Sequence, residues 1–182
     1  MTDILSLALQ AGFSQAAPLD MSALTALEEV RAMCAADRCR AYGRTWSCPP
    51  GCGTLEENQA RMRSYSNGIL VQTTGSMEDD FDVEALGRTQ LAHKKQFETL
   101  VRQLRTMDKD CLPLTAGCCS ICRKCTYPDR PCRFPGKMFS SMEAYGLLVS
   151  DVCIKSGLKY YYGPKTITYS SCILTNMNIK GV

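Results

Sequence analysis

Residues 117–142 read GCCSICRKCTYPDRPCRFPGKMFSSM, and this cysteine-rich stretch governs the interpretation of the whole chain. Cysteines at positions 119, 122 and 125 form a consecutive CxxCxxC run, and a further cysteine follows at position 132. Zinc ribbons usually take two ligands from each of two separated turns, whereas a consecutive run is typical of an iron–sulfur cluster. We therefore predict one metal site from what we call the second cysteine group: Cys119, Cys122, Cys125 and Cys132.

The spacing of this run leaves alternatives open. Six residues separate Cys125 from Cys132, whereas three precede the last cysteine in the bacterial ferredoxin run. Four thiolates also suit zinc, and cysteines at this density can form a disulfide knot.

A looser set of cysteines lies upstream, with the spacing C-x4-C-x8-C-x3-C. Pro49 and Pro50 favour a turn between its last two members, and Trp46 would either shield a cluster or anchor the core. The alternative is four unrelated buried thiols, because free cysteine is among the most buried residue types. We call this set the first cysteine group: Cys34, Cys39, Cys48 and Cys52.

Composition supports metal over disulfides. The chain has 182 residues and 12 cysteines, whereas disulfide scaffolds are normally much shorter. The N-terminal sequence lacks the pattern of a signal peptide, and no apolar run approaches the roughly 18 residues of a membrane span. We therefore expect a protein of the reducing cytoplasm, adapted to anaerobic conditions, whose clustered cysteines bind metal.

The formal charge of +3 does not indicate a nucleic-acid-binding protein. Two cubane clusters, each held by four thiolates, would lower the net charge to about −1. The excess lysine and arginine would then offset the charge of the clusters, which makes nucleic acid an unlikely partner.

Hydrophobic periodicity and capping signals predict alternating helices and strands. Helices are expected at 3–11, from about 22, at 54–66 (capped by Thr54 with Glu57), at 83–107 and at 140–156 (capped by Ser140 with Glu143, continuous or broken at Gly146); strands are expected at 69–73, 111–115 and 166–174. The only histidine, His93, falls within the longest helix and is expected to be a surface or partly packed residue.

The strand–helix–strand order over 69–115 predicts a βαβ unit. We expect one α/β domain over 1–182, with a small, mostly parallel sheet flanked by helices and two cysteine-rich metal-binding loops. Its N-terminal cysteine-rich part would span 1–66, and the βαβ unit with the second loop would span 67–182. The second cysteine group would follow the carboxyl end of a strand, where open α/β sheets place their sites.

The paired motifs resemble a prokaryotic family of predicted metal-binding proteins known as the domain of unknown function 2284. The residues that carry this resemblance are Arg31, Cys34, Cys39, Tyr42, Trp46, Cys48, Pro49 and Pro50, followed by Gly117, Cys119, Cys122, Cys125, Cys132, Arg133, Phe134, Pro135, Ser141, Met142, Glu143, Ala144 and Gly146. The resemblance implies that both cysteine groups bind metal, and it implies no reaction. It also implies that Cys118 is a spare thiol, as are Cys111, Cys153 and Cys172, which we expect to be small buried hydrophobic residues.

No catalytic acid–base constellation accompanies the cysteines, so an electron carrier is a better hypothesis than an enzyme. We expect two [4Fe–4S] clusters and a redox partner, possibly with an acidic surface; no feature of the sequence sets the oligomeric state. Basic residues around the second group would steer that partner or offset the cluster charge: Arg123, Lys124, Arg130, Arg133 and Lys137. The alternatives are a zinc-stabilised binding module that contacts phosphate, and a cluster-dependent oxidoreductase or reductive activator of a metalloenzyme.

Overall fold

The computed structural model describes residues 3–179, which contain one five-stranded sheet and five α-helices. The strands are β1 (Gln15–Pro18), β2 (Asn67–Ser76), β3 (Leu112–Thr115), β4 (Ser140–Ser141) and β5 (Thr166–Thr175). The helices are α1 (Ile4–Gln10), α2 (Glu28–Ala35), α3 (Leu55–Arg63), α4 (Val83–Leu104) and α5 (Val149–Lys155), and short 3-10 turns occupy Met21–Ala23 and Glu143–Tyr145. We call the latter the 143–145 turn.

The expectation of a mostly parallel sheet is wrong. The strand order is β1-β2-β5-β3-β4, and only the β3–β4 pair is parallel. The predicted strand–helix–strand unit does exist as β2, α4 and β3, but the C-terminal β5 pairs antiparallel with both strands and separates them. The local pattern indicates that a helix connects the two strands, but it carries no information about a distant strand that inserts between them.

Apolar residues cover both faces of the sheet, because successive side chains of a strand point in opposite directions. Ile69 and Val71 of β2 join a core with α1 and α4, whereas Leu70 joins a second core with α3, α5 and the 143–145 turn. Helices therefore cover both faces.

The long helix α4 follows from its sequence. The side chain of Asp82 accepts a hydrogen bond from the backbone N–H of Ala85 and caps the helix, as expected for an N-cap aspartate. One face of the helix is buried, including Phe97 and Leu100. The capping box at the start of α3 is also confirmed, since Thr54 and Glu57 each bond the other's backbone N–H.

The predicted helix over 140–156 is confirmed only in its last part, after a break at Gly146. Residues 140–141 pair with β3, the 143–145 turn follows, and α5 begins only at Val149. Gly146 stops the turn with a φ of 81°, and a side chain there would come within 2.6 Å of Leu55 Cδ2. Gly146 also lies against the residue before α2, since the backbone N–H of Leu27 donates to its carbonyl oxygen at 2.9 Å.

The structure of the N-terminal part differs from the sequence-based prediction in two places. The helix predicted from about Ser22 is a single 3-10 turn capped by Asp20, and α2 begins at Glu28. Four residues ending at Pro18 form the edge strand β1, which sequence periodicity does not reveal because the strand is so short. Since β1 pairs with β2, the two parts of the chain share one sheet.

Candidate metal centre

The first cysteine group spans three kinds of local structure. Cys34 lies in the last turn of α2, Cys39 lies in the loop that follows, and the last two members lie in the turns at 48–52. Asp37 and Arg40, on either side of Cys39, have φ angles of 50° and 55°, a left-handed conformation that is uncommon outside glycine. This loop therefore has an unusual shape at the position of its cysteine.

The 143–145 turn holds two thiols of this group from the far end of the chain. The Sγ atom of Cys34 donates to the carbonyl oxygen of Glu143 at 3.7 Å, and that of Cys52 donates to the carbonyl oxygen of Ala144 at 3.5 Å. Glu143 and Ala144, which were predicted to be helical, therefore contact two thiols of the first cysteine group through their backbone carbonyl groups.

Arg31 and Asn58 present unused hydrogen-bond donors beside this group. Arg31 Nη1 donates to the carbonyl oxygen of Gly53 at 3.0 Å, but Arg31 Nε and Nη2 and Asn58 Nδ2 are buried without a partner among the described residues. Burial raises the pKa of Cys52, and the neighbouring charge of Arg31 and the amide of Asn58 oppose that rise. Buried unpaired donors are costly, so their position beside thiols is a feature that an anionic thiolate centre would satisfy.

The second cysteine group lies in the long loop between β3 and β4, where the backbone of 116–139 forms turns and bends rather than helix or strand. Hydrogen bonds within the loop set its shape: Thr126 Oγ1 donates to the carbonyl oxygen of Pro131 at 2.9 Å, and Arg133 Nη1 donates to that of Lys124 at 2.9 Å. The loop is thus a self-bonded unit that carries four thiols.

Trp46 fastens the first cysteine region to this loop. Its indole N–H donates to the carbonyl oxygen of Arg130 at 3.0 Å, and its ring meets Tyr127 edge-on with centroids 4.9 Å apart. The half-buried Trp46 therefore contacts the second loop directly.

Ser47 joins the two cysteine groups, and sequence reasoning did not identify it. This fully buried residue accepts a hydrogen bond at Oγ from the backbone N–H of Cys119 at 3.2 Å, and its Oγ lies 3.7 Å from Cys48 Sγ. Because one hydroxyl contacts a residue of each group, the two groups adjoin. No local sequence signal predicts a contact between positions so far apart.

Two adjoining cavities lie among the cysteines. The first cavity has a volume of about 300 Å³ and is lined by Cys34, Cys39, Cys48 and Cys118, among other residues. The second cavity has a volume of about 480 Å³ and is lined by all four members of the second group, together with Cys39 and Cys118. Cys52 lines neither; it lies in a separate cavity with Cys132 and Tyr145.

The structure thus brings the cysteines together in part. Seven of the eight predicted ligands line one of the two cavities, and Cys52 does not. Within residues 3–179, no three cysteine, histidine or acidic side chains lie close enough together to hold a single metal ion.

Burial favours the protonated form of Cys34, Cys48 and Cys119. Burial, aided by Glu143 and Cys48, raises the pKa of Cys34 to about 11. Burial also raises the pKa of Cys48 and, together with the other thiols of its group, that of Cys119. A metal must displace these protons, so loading of either group should release protons and weaken as the pH falls.

The basic residues predicted around the second group are exposed: Arg123, Lys124, Arg130, Arg133 and Lys137. None of these five side chains lies within 4.0 Å of a carboxylate of the described residues. The ion pair found within residues 3–179 joins Arg44 and Asp37. Lys94 adds a charge nearby, since its Nζ donates to Ser120 Oγ at 3.1 Å. Arg123, Lys124 and Arg133 line the second cavity itself, so its wall carries positive charge.

The remaining cysteines and the histidine lie elsewhere. Cys111, Cys153 and Cys172 are buried in the two cores, as predicted. His93 is fully buried rather than at the surface: Nδ1 lies 2.9 Å from Thr73 Oγ1 and Nε2 lies 2.6 Å from Ser171 Oγ. It bonds to the sheet, away from the thiols.

Comparison with known families places the chain. The model of a family of predicted metal-binding proteins, DUF2284, matches residues 17–175, which include both cysteine groups. The chain belongs to the DUF2284 family. It matches none of the curated proteins and none of the solved structures with which it was compared.

Membership of DUF2284 confirms the resemblance read from the cysteine motifs and supports metal binding. The family description specifies neither the metal nor a reaction. No helix in the described part of this DUF2284 chain combines the length and apolar character that crossing a membrane requires.

The donor set of this DUF2284 member fits an iron–sulfur centre chemically. Thiolates are the usual ligands of iron–sulfur clusters, and unpaired N–H donors beside the sulfurs are the groups that hydrogen-bond to them. Cavities lined by thiols, together with the unused donors of Arg31 and Asn58, satisfy both requirements.

Proposed function

We propose that this protein holds two [4Fe–4S] clusters on cysteine thiolates and acts in electron transfer. The observation that carries the proposal is the second cavity, of about 480 Å³, with all four thiols of the second cysteine group in its wall. A cavity many times the roughly 30 Å³ that one water occupies in the liquid suits a centre of several atoms better than a single ion.

The first cysteine group supports a second centre. Cys34, Cys39 and Cys48 line the adjoining cavity of about 300 Å³ and supply three of the four thiolates that a cubane cluster takes. The guanidinium of Arg31 would stabilise the negative charge of a thiolate centre here, because its unpartnered N–H groups can donate to sulfur.

A [4Fe–4S] cluster supplies reversible one-electron chemistry when it is bound. The protein's own residues would set the properties of the cluster. Arg31 and Asn58 would hydrogen-bond to its thiolates, Trp46 would limit access of water, and the exposed basic residues would attract a partner. Positive charge around one opening raises the rate at which an acidic protein finds it. The electron-transfer partner is therefore expected to present an acidic surface.

Metal and sulfide analysis of protein purified without oxygen tests this proposal. We expect about eight irons and eight acid-labile sulfides per chain, from two four-cysteine centres. Such a preparation should be brown and should bleach on reduction. Zinc near two per chain with negligible sulfide would instead establish a zinc protein and overturn the proposal.

A further inference from the structure

The cavity beside the first cysteine group contains an unassigned thiol. Of the four cysteines in its wall, Cys34, Cys39 and Cys48 belong to the first group, and the fourth is Cys118. Cys52, which the sequence assigns to this group, lines a different cavity with Trp46 and Tyr145. We propose that Cys118, rather than Cys52, supplies the fourth thiolate of the first centre, an inference that rests on the proposed function.

The number of thiols supports this assignment. The second cavity already has four thiols from its own loop, Cys119 to Cys132, and a cubane cluster takes four. The first cavity has only three thiols from the first group. Cys39 and Cys118 both lie in the wall that the two cavities share. Because Cys39 already belongs to the first group, Cys118 is the further thiol available to the centre that lacks a ligand.

The backbone around Cys118 is fixed from both sides. Lys94 Nζ donates to the carbonyl oxygen of Cys118 at 3.5 Å, and the backbone N–H of the next residue, Cys119, donates to Ser47 Oγ at 3.2 Å. Gly117, which also lines the first cavity, has a φ of 74° that most residues avoid. These contacts hold Cys118 at the shared wall.

Cys52 has a different setting. Its Sγ donates to the carbonyl oxygen of Ala144 at 3.5 Å, a contact like that of Cys34 with Glu143, so the two thiols differ in the cavity that each lines. The same thiol is a neighbour of Arg61 and Tyr145 in its own cavity. We therefore assign Cys52 a packing role behind the first centre.

The assignment has a consequence for the arrangement of the two centres. Cys118 and Cys119 are consecutive, so ligands of different centres would be joined by one peptide unit. The two centres would then be neighbours within one carrier rather than independent sites.

Iron content of alanine variants tests the assignment. Cys118→Ala should lose about half of the iron and sulfide, whereas the matched control Cys52→Ala should retain nearly all of both. In a Cys125→Ala background, where the second centre is lost, adding Cys118→Ala should remove nearly all of the remaining iron. If the double variant keeps as much iron as Cys125→Ala alone, or if Cys52→Ala also loses half, the assignment is wrong.

Thiol alkylation of the wild-type chain gives the same answer without a variant that must fold. Cys118 should resist iodoacetamide in the loaded protein and react after iron is chelated, while labelling of Cys52 should change little. Labelling of Cys118 at equal rates before and after chelation contradicts the assignment. Wild-type protein that contains zinc and no sulfide would refute the proposed function, and the same variants scored by zinc content would still decide between Cys118 and Cys52.

Discussion

The two cysteine groups are built in opposite ways. The second group comes from one loop between β3 and β4, shaped by its own hydrogen bonds such as that from Thr126 to Pro131. The first group depends on distant parts of the chain, since the carbonyl groups of Glu143 and Ala144 accept from its thiols. When all ligands come from one loop, their spacing in the sequence predicts them. When they come from distant parts of the chain, they can be identified only in the folded structure.

The largest expected effect is loss of one whole centre. Cys125→Ser should remove about half of the iron and sulfide, because the one further thiol in that loop, Cys118, is assigned to the first centre. The first centre should remain, and metal analysis with electron paramagnetic resonance of the reduced protein would show this. Cys111→Ser, which changes a buried thiol outside both groups, serves as the control and should keep all of the iron. Loss of all iron in Cys125→Ser would mean that the two groups cannot load independently.

The exposed basic residues offer a second, smaller contrast. Replacing both Arg123 and Arg133 with Gln should slow reduction by the dithionite-derived anion about threefold at low ionic strength, because attraction between unlike charges is lost. Reduction by the methyl viologen radical cation should become faster, and both differences should shrink at about 0.15 M salt, where the Debye length is about 8 Å. Stopped-flow measurement with both reductants distinguishes a change in surface charge, which affects the two rates in opposite directions, from damage to the centre, which does not.

The same double variant tests the other role of these residues. If they neutralise the cluster instead, its reduction potential should fall while the rates keep their salt dependence. Unchanged rates and an unchanged potential would show that these side chains are ordinary solvated surface.

The extent of prediction follows the same division between local and distant contacts. The α4 helix, the capping box of Thr54 and Glu57, and the long strands were predictable because neighbouring residues specify them. The position of β5 between β2 and β3 was not, because strand pairing is decided by packing over the whole sheet. The first part of the helix expected at 140–156 is absent for a related reason: Gly146 packs against Leu27 before α2 and Leu55 of α3, which no local pattern records.

Prediction of the site shows the same limit. The CxxCxxC spacing identified a loop whose four thiols do line one cavity. The contact of Ser47 with Cys119, the unpaired donors of Arg31 and the place of Cys118 in the shared wall come from tertiary structure alone. The ligand sets remain a prediction for metal analysis to test.

Arg31 should distinguish the two centres by potential rather than by content. Arg31→Gln removes a positive charge beside Cys34 and Cys52, so the first centre should become harder to reduce and its potential should fall. The second centre should keep its potential, and iron content should stay near that of the wild type. Arg31→Lys, which keeps the charge and loses the planar donors, should shift the potential less. A redox titration that shows equal shifts at both centres would contradict a local effect of Arg31.

The smallest effect on either centre is expected at His93, which lies in the sheet core and contacts Thr73 and Ser171. Burial lowers the pKa of His93 from 6.5 to about 4, so the folded protein keeps it neutral while the unfolded chain takes up a proton below pH 6.5. Stability from this residue is therefore full above pH 6.5 and is lost as the pH falls towards 4. Between pH 7.5 and 5.5 the loss in the free energy of unfolding should be about 1.4 kcal/mol.

His93→Gln provides the matched comparison. It should be less stable at pH 7.5, since buried hydrogen bonds are lost, but it should lack the loss of about 1.4 kcal/mol on going to pH 5.5. Because His93 is the only histidine, few other groups titrate in this range. The free energy of unfolding in urea should be measured for both proteins at the two pH values, together with their iron content. If the iron contents match, the contribution of the centres to the free energy of unfolding is the same in both proteins. Equal pH dependence of stability in the two proteins would show that His93 does not control that dependence. Loss of iron in His93→Gln would show that the sheet core and the cysteine groups are coupled.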